Sequence, residues 1–194
     1  MRNLKTVLAL SAVLLVSTGP SFATTDELTA RTQSSRAVIK EFFGSLKGEL
    51  VEALKAGGPV NALGVCNVKA PEIAEFHSKT KGWDVARTSL KVRNPANAPD
   101  KWETQVLNAF EDRKAKGEDV SKMEYAEIVR GADGKKEFRY MKAIPTAQKP
   151  CLACHGGKLS PEVVAKLDDL YPEDKARGYK AGDIRGAFTI RQPM

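Results

Sequence analysis

The 194 residues carry 31 Lys and Arg against 24 Asp and Glu, a formal net charge of +7, with 42% apolar residues and only three cysteines. This is enough chain for one domain with a real core. No Arg/Lys block interleaved with aromatics points to nucleic acid, so the basic excess reads as a solvated face, with acidic redox partners or anionic surfaces as the functional alternative.

The chain opens like an export signal. Arg2 and Lys5 form a positive start, Val7 to Val16 an apolar run, and Ser21-Phe22-Ala23 a small-x-small cleavage site. The run is too short for a membrane span, which needs about 20 residues. Cleavage after Ala23 is expected to leave Thr24 to Met194 as a periplasmic protein with no membrane span. Loss of Arg2 and Lys5 would lower the formal charge by two, to +5.

Thr24 and Glu27 have capping-box spacing. Apolar residues then recur at helical intervals (Val38, Ile39, Phe42, Phe43, Leu46, Leu50, Leu54) until Gly57-Gly58-Pro59 ends the helix. Its apolar face is expected either to pack on a sheet or to serve as a dimer seam. A short second helix is expected from Val60 to Asn67, and Pro71 starts a third, which places Cys66 in an elbow between helices.

Trp83 to Val92 reads as a strand and Arg93 to Asp100 as a Pro/Asn-rich loop. Asp100 caps a helix bearing Trp102, Val106, Leu107 and Phe110. Glu124–Arg130 and Lys136–Ile144 read as a hairpin turning through Gly131-Ala132-Asp133-Gly134. After Cys151 to His155, Gly156-Gly157 suits a close backbone approach to something flat, and Ser160-Pro161-Glu162 starts another helix. The last strand alternates, with Ile184, Gly186, Phe188 and Ile190 on one face and Arg185, Ala187, Thr189 and Arg191 on the other. The order predicts an α+β domain with an antiparallel sheet.

Cys151-Leu152-Ala153-Cys154-His155 is the C-x-x-C-H attachment signature of c-type haem. Two thiols three residues apart can add to both vinyl groups of one porphyrin, and the next residue can donate an imidazole nitrogen to the iron. The rivals are thiol–disulfide exchange, which expects a thioredoxin-like βαβ context, and zinc, which needs four ligands where Cys154 and His155 are awkward neighbours. One covalent haem c accounts best for the motif, and it leaves Cys66 without a partner.

With these stretches in hand, the chain resembles a family of exported c-type haem proteins with a PAS-like α+β fold, long known only as a domain of unknown function and also found as the sensor part of bacterial histidine kinases. The resemblance rests on Val65-Cys66-Asn67-Val68-Lys69-Ala70-Pro71-Glu72-Ile73-Ala74, on Val92 to Asp100, on Cys151 to His155, and on Tyr171-Pro172-Glu173-Asp174 through Asp183 to Phe188. It covers essentially everything after the leader. It implies iron held by His155 on one side and by Cys66 on the other.

From chemistry alone the group opposite His155 stays open among Cys66, His77 (more simply a surface His), Met123, Met141 or Met194 (more simply core or chain-end Met), and no protein ligand. A thiolate would bring ferric haem to neutrality, and reduction would then leave a net negative charge in an apolar pocket. The outcome is either a low potential or a sulfur that protonates and leaves, opening the iron to CO or NO. A His/Met site would be an ordinary electron carrier. Arg139, Lys142 and Arg185 could pair with haem propionates, though each reads more simply as a strand-face charge.

The resulting expectation is a periplasmic haem protein for redox or small-gas sensing or low-potential electron transfer, working with a redox partner or a separate signalling protein and capable of forming a homodimer. The alternatives are a peroxidase or nitrogen-oxide enzyme with an open distal face, or a thiol oxidoreductase.

Overall fold

A computed structural model describes residues 25–131 and 133–194. The expected export leader, Thr24 of the expected capping box and Ala132 of the expected hairpin turn lie outside the described residues. No described helix is long and apolar enough to cross a membrane.

The fold is α+β: a four-stranded antiparallel sheet in the order β1-β4-β3-β2 between helices. Its strands are β1 (Asp84–Thr88), β2 (Glu124–Arg130), β3 (Lys136–Pro145) and β4 (Ile184–Pro193). The helices are α1 (Thr25–Lys81), α2 (Lys101–Ala115), the single turn α3 (Leu152–His155) and α4 (Pro161–Leu170).

α1 is two arms. Gly57 and Gly58 leave helical geometry, and Gly58 takes φ 67°, ψ −164°, a region that only glycine enters cheaply. The arms fold back on each other, so that Phe42 of the first stacks on His77 of the second at 5.8 Å. The break at the glycines is as the sequence predicts; the second break is not. The second arm runs unbroken through Pro71, so Cys66 lies within a helix rather than in an elbow. Proline there removes one backbone hydrogen bond. Apolar contact on both sides, with Leu63 and Ala70 buried before it and Ile73 and Ala74 packed after it, holds the helix across the gap.

One face of the sheet packs on α1 through Val38, Ile39 and Phe42 against Val85, Phe138, Tyr140, Phe188 and Ile190. The other packs on α2 through Val106, Leu107 and Phe110 against Met141, Ala143, Ala187 and Ile184. The apolar face of α1 therefore covers the sheet. Met123 and Met141 are fully buried on the α2 side, in the core role that is the simpler reading of a Met.

Three further expectations change. β1 stops at Thr88 instead of Val92, because Ser89 Oγ accepts from Lys91 N at 3.2 Å and donates to Arg185 O at 2.8 Å, turning the chain out of the sheet. His77 is buried, only 4% exposed, between Phe42 and Phe76 rather than on the surface. Strict alternation fails at the start of β4: Ile184 joins Ala187 on the α2 side, and Arg185 points to the α1 side beside His155. The cause is local. A register shift falls at Ile144/Pro145, and Gly186 has φ 156°, with Thr88 O only 2.3 Å from where a Cβ would stand.

Candidate functional site

The Cys151–His155 turn lies on the α1 side of the sheet, and its shape follows from the backbone. The carbonyl of Cys151 accepts from Cys154 N at 3.2 Å and His155 N at 2.9 Å, winding one helical turn that brings both thiols and the imidazole together. Gly156 N donates to Leu152 O at 3.1 Å, and a Cβ at Gly156 would sit 2.6 Å from that carbonyl. A close approach to its own turn thus already demands glycine there. The turn is clamped from the other side, where Tyr179 N donates to His155 O and Gly178 N to Gly156 O.

His155 has a defined orientation. Its Nδ1 lies 2.9 Å from the carbonyl of Ala176, which can only accept, so Nδ1 carries the hydrogen and Nε2 keeps its lone pair. Burial, then the neighbouring Arg185 and Arg93, hold the imidazole well below its usual titration range, so it is neutral at pH 7. Arg185 Nε stands 3.2 Å from Nδ1 and 3.3 Å from Nε2, nearly equidistant, a position from which it donates cleanly to neither.

The Ala176 carbonyl is itself held. Arg93 Nη2 donates to it at 3.1 Å and to the Cys154 carbonyl at 2.6 Å, while Arg93 Nε reaches Asp174 Oδ1 at 3.1 Å. Asp174 also accepts from Ala176 N at 2.9 Å and Arg177 Nε at 2.8 Å. Its side chain is fully buried and that of Arg93 is 10% exposed. Burial alone would raise the Asp174 carboxyl, but the donated bonds outweigh it and keep the pKa low. Arg93 and Asp174 therefore set the angle of His155 at one remove. Sequence reading gave neither a role, although both lie in the stretches that carry the family resemblance.

Cys66 reaches the same place. Cys154 packs with Leu63, Val163, Leu167 and Tyr171, one turn from Cys66 on the second arm of α1. Burial raises both thiols, against the opposing pull of Arg87 and Arg93 at Cys66 and of Arg93 at Cys154, and the charge of Cys66 acts on Cys154. All three cysteines are free and half-buried. The structure thus brings together Cys66 and the Cys151–His155 turn from two separate stretches of sequence.

The other candidates go elsewhere. His77 contacts Phe42, Phe76 and Glu41, the two internal methionines lie across the sheet, and Met194 is an exposed chain end. Of the three basic residues considered for propionates, Arg139 is committed to Asp100 and Glu103, and Lys142 lies beside Ser121 and Glu124. Arg185 alone turns to the site. Arg87 joins it, a residue that sequence reading passed over.

No curated protein matches the chain. Among solved structures, the crystal structure of the cyanobacterial heme-protein Tll0287 is similar, with a TM-score of 0.65 and 25% identity over 89% of this chain and 98% of that one. A family model described as Tll0287-like matches residues 19–193. By that match, which spans the strands, the Cys151–His155 turn and Cys66 alike, the chain belongs to the Tll0287-like family.

Proposed function

We propose that the chain is a haem protein in which Cys151 and Cys154 would hold the porphyrin through thioethers, with His155 and Cys66 as the residues that would ligate the iron. Membership of a family with a solved heme-protein supports haem binding. The observation that carries the ligand assignment is the Ala176 carbonyl on His155 Nδ1, because it fixes the tautomer whose free Nε2 a metal requires. The donor set fits as well, two thiols on one turn with that imidazole and a third thiol nearby. Bound there, haem would supply a one-electron ferric/ferrous couple.

The chain's own residues shape that couple. Arg93 and Asp174 keep the imidazole from rotating. Cys66 sits where burial favours the neutral thiol and Arg87 and Arg93 favour the thiolate, a balance that a one-electron change in charge can tip. A thiolate that stays lowers the potential; a thiol that leaves frees the face for CO or NO. Both outcomes fit a periplasmic protein for low-potential electron transfer or for redox or gas sensing, read by a separate partner. The His/Met alternative has little support, since Met123 and Met141 are packed on the α2 side of the sheet.

The test uses protein matured with haem-attachment machinery. Haem that stays on the chain in a denaturing gel, and is lost from Cys151→Ala/Cys154→Ala, is expected. So is a low-spin thiolate signature in the ferric electron paramagnetic resonance spectrum that vanishes in Cys66→Ala. A colourless protein would overturn the reading, and an unchanged Cys66→Ala spectrum would remove Cys66 from the iron.

A further inference from the structure

Among the described residues three arginines stand at the site, and one of them makes an ion pair. Arg93 is paired with Asp174. Arg87 and Arg185 make no ion pair with any carboxylate among the described residues. Arg87 lies over the Phe42 ring, 5.8 Å to the centroid; Arg185 lies beside His155 and over the Tyr179 ring, 5.6 Å away. Both are partly buried. Burial and the proximity of the other arginines pull Arg185 down to about 10, and burial lowers Arg87 as well.

Two partly buried cations that repel each other and have no paired carboxylate are unfavourable, and native folds keep such an arrangement where a ligand supplies the charge. The fold goes out of its way to create it. Only the break in alternation at Gly186 turns Arg185 from the α2 side to this one. The two guanidinium groups also flank the site differently: Arg87 acts on Cys66, whereas Arg185 touches His155.

We infer that Arg87, which acts on Cys66, and Arg185, which lies beside His155, form the acceptor site for the two haem propionates. The inference rests on the haem reading above. Charge and chemistry match: two planar forks, each suited to a bidentate carboxylate, stand in a region of excess positive charge. The competing anion for Arg87 is the Cys66 thiolate. It does not account for Arg185, which is absent from the charges that act on Cys66.

The experiment compares matured parent, Arg87→Gln, Arg185→Gln, Arg87→Lys, Arg185→Lys and the exposed control Lys116→Gln. Haem content by pyridine haemochrome is read first, then the propionate bending band in resonance Raman and the reduction potential. Both Gln variants are expected to shift the propionate band and lower the potential, since a cation no longer offsets the electron added on reduction. The Lys variants, which keep the charge but lose the fork, are expected to shift the band while holding the potential near the parent's; they also serve where a Gln variant fails to mature. The shifts are expected to persist in a Cys66→Ala background.

A parent without covalent haem would overturn the haem reading and this assignment with it. A haem-loaded parent whose arginine variants match Lys116→Gln would overturn the assignment alone. So would an Arg87 effect that disappears in Cys66→Ala, which would give that guanidinium to the thiolate.

Discussion

The two faces of the sheet each bury arginines, and they treat them oppositely. On the α2 face, Arg139 Nη2 meets Asp100 Oδ2 at 2.8 Å and Glu103 Oε1 at 3.3 Å, Arg191 Nη2 meets Asp100 Oδ2 at 2.9 Å, and Thr189 donates to Glu103 at 2.8 Å. Arg139 also lies 4.2 Å over the Trp102 ring. The Nε atoms of Arg139 and Arg191 lack hydrogen bonds, yet both positive charges are met. On the α1 face, Arg87 and Arg185 make no ion pair with a carboxylate among the described residues. The contrast separates a network that closes within the protein from one that is open toward a ligand, and burial alone would not distinguish them.

The closed network gives the largest expected loss of stability. Glu103 serves twice, as counter-charge to Arg139 and as the N3 partner in the capping box with Asp100, whose N–H it accepts at 2.9 Å. Glu103→Ala strands a buried guanidinium and frays the α2 start, and should cost about 3–5 kcal/mol in urea unfolding. A cost below about 1 kcal/mol would mean that the α2-face network is not the structural element the contrast requires.

Asp174 sits between the two cases, a closed pair inside the open face. Asp174→Asn leaves Arg93 without its anion and should cost about 2–3 kcal/mol at neutral pH. The pH dependence has a definite sign. The folded carboxyl titrates below its ordinary value of 3.8, so its contribution is complete above that value and is lost as pH falls through the folded one. Parent and variant should therefore differ at neutral pH and converge in acid below about pH 4. A gap that stays constant to the acid limit would show that the carboxylate charge is not what stabilises the turn.

How much of this was legible beforehand follows the range of the interactions. Signals written within a few residues read correctly: the Asp100 cap, the Ser160 cap before Pro161, the β2–β3 hairpin and the Gly57-Gly58 break. So did the Cys151–His155 turn, whose closure is set by its own backbone. Features fixed by contacts far along the chain did not. Pro71 stays helical because α1 is pinned on both sides of it, Arg185 changes face because Gly186 meets Thr88 across the β1–β4 ladder, and His77 is buried because the two arms of α1 pack together. Arg93 and Asp174 are 81 residues apart, so nothing local in the sequence marks them as a pair.

The smallest expected effect is the sharpest for the contrast. In a haem-free background, Cys151→Ala/Cys154→Ala, the substitution Arg87→Gln removes a partly buried cation that pairs with no carboxylate among the described residues. It gives up a ring contact with Phe42 worth about 0.5–1 kcal/mol and relieves a burial penalty of comparable or larger size. The unfolding free energy should therefore stay within about 0.5 kcal/mol of the background or rise. Arg139→Gln in the same background should lose several-fold more, because Asp100 and Glu103 are left facing each other without their cation. If thermal and urea unfolding instead give the two substitutions equal losses, Arg87 is bound into the fold as firmly as Arg139. The two faces would then differ only in which partners are visible, and the α1 face would have no claim to be the open one.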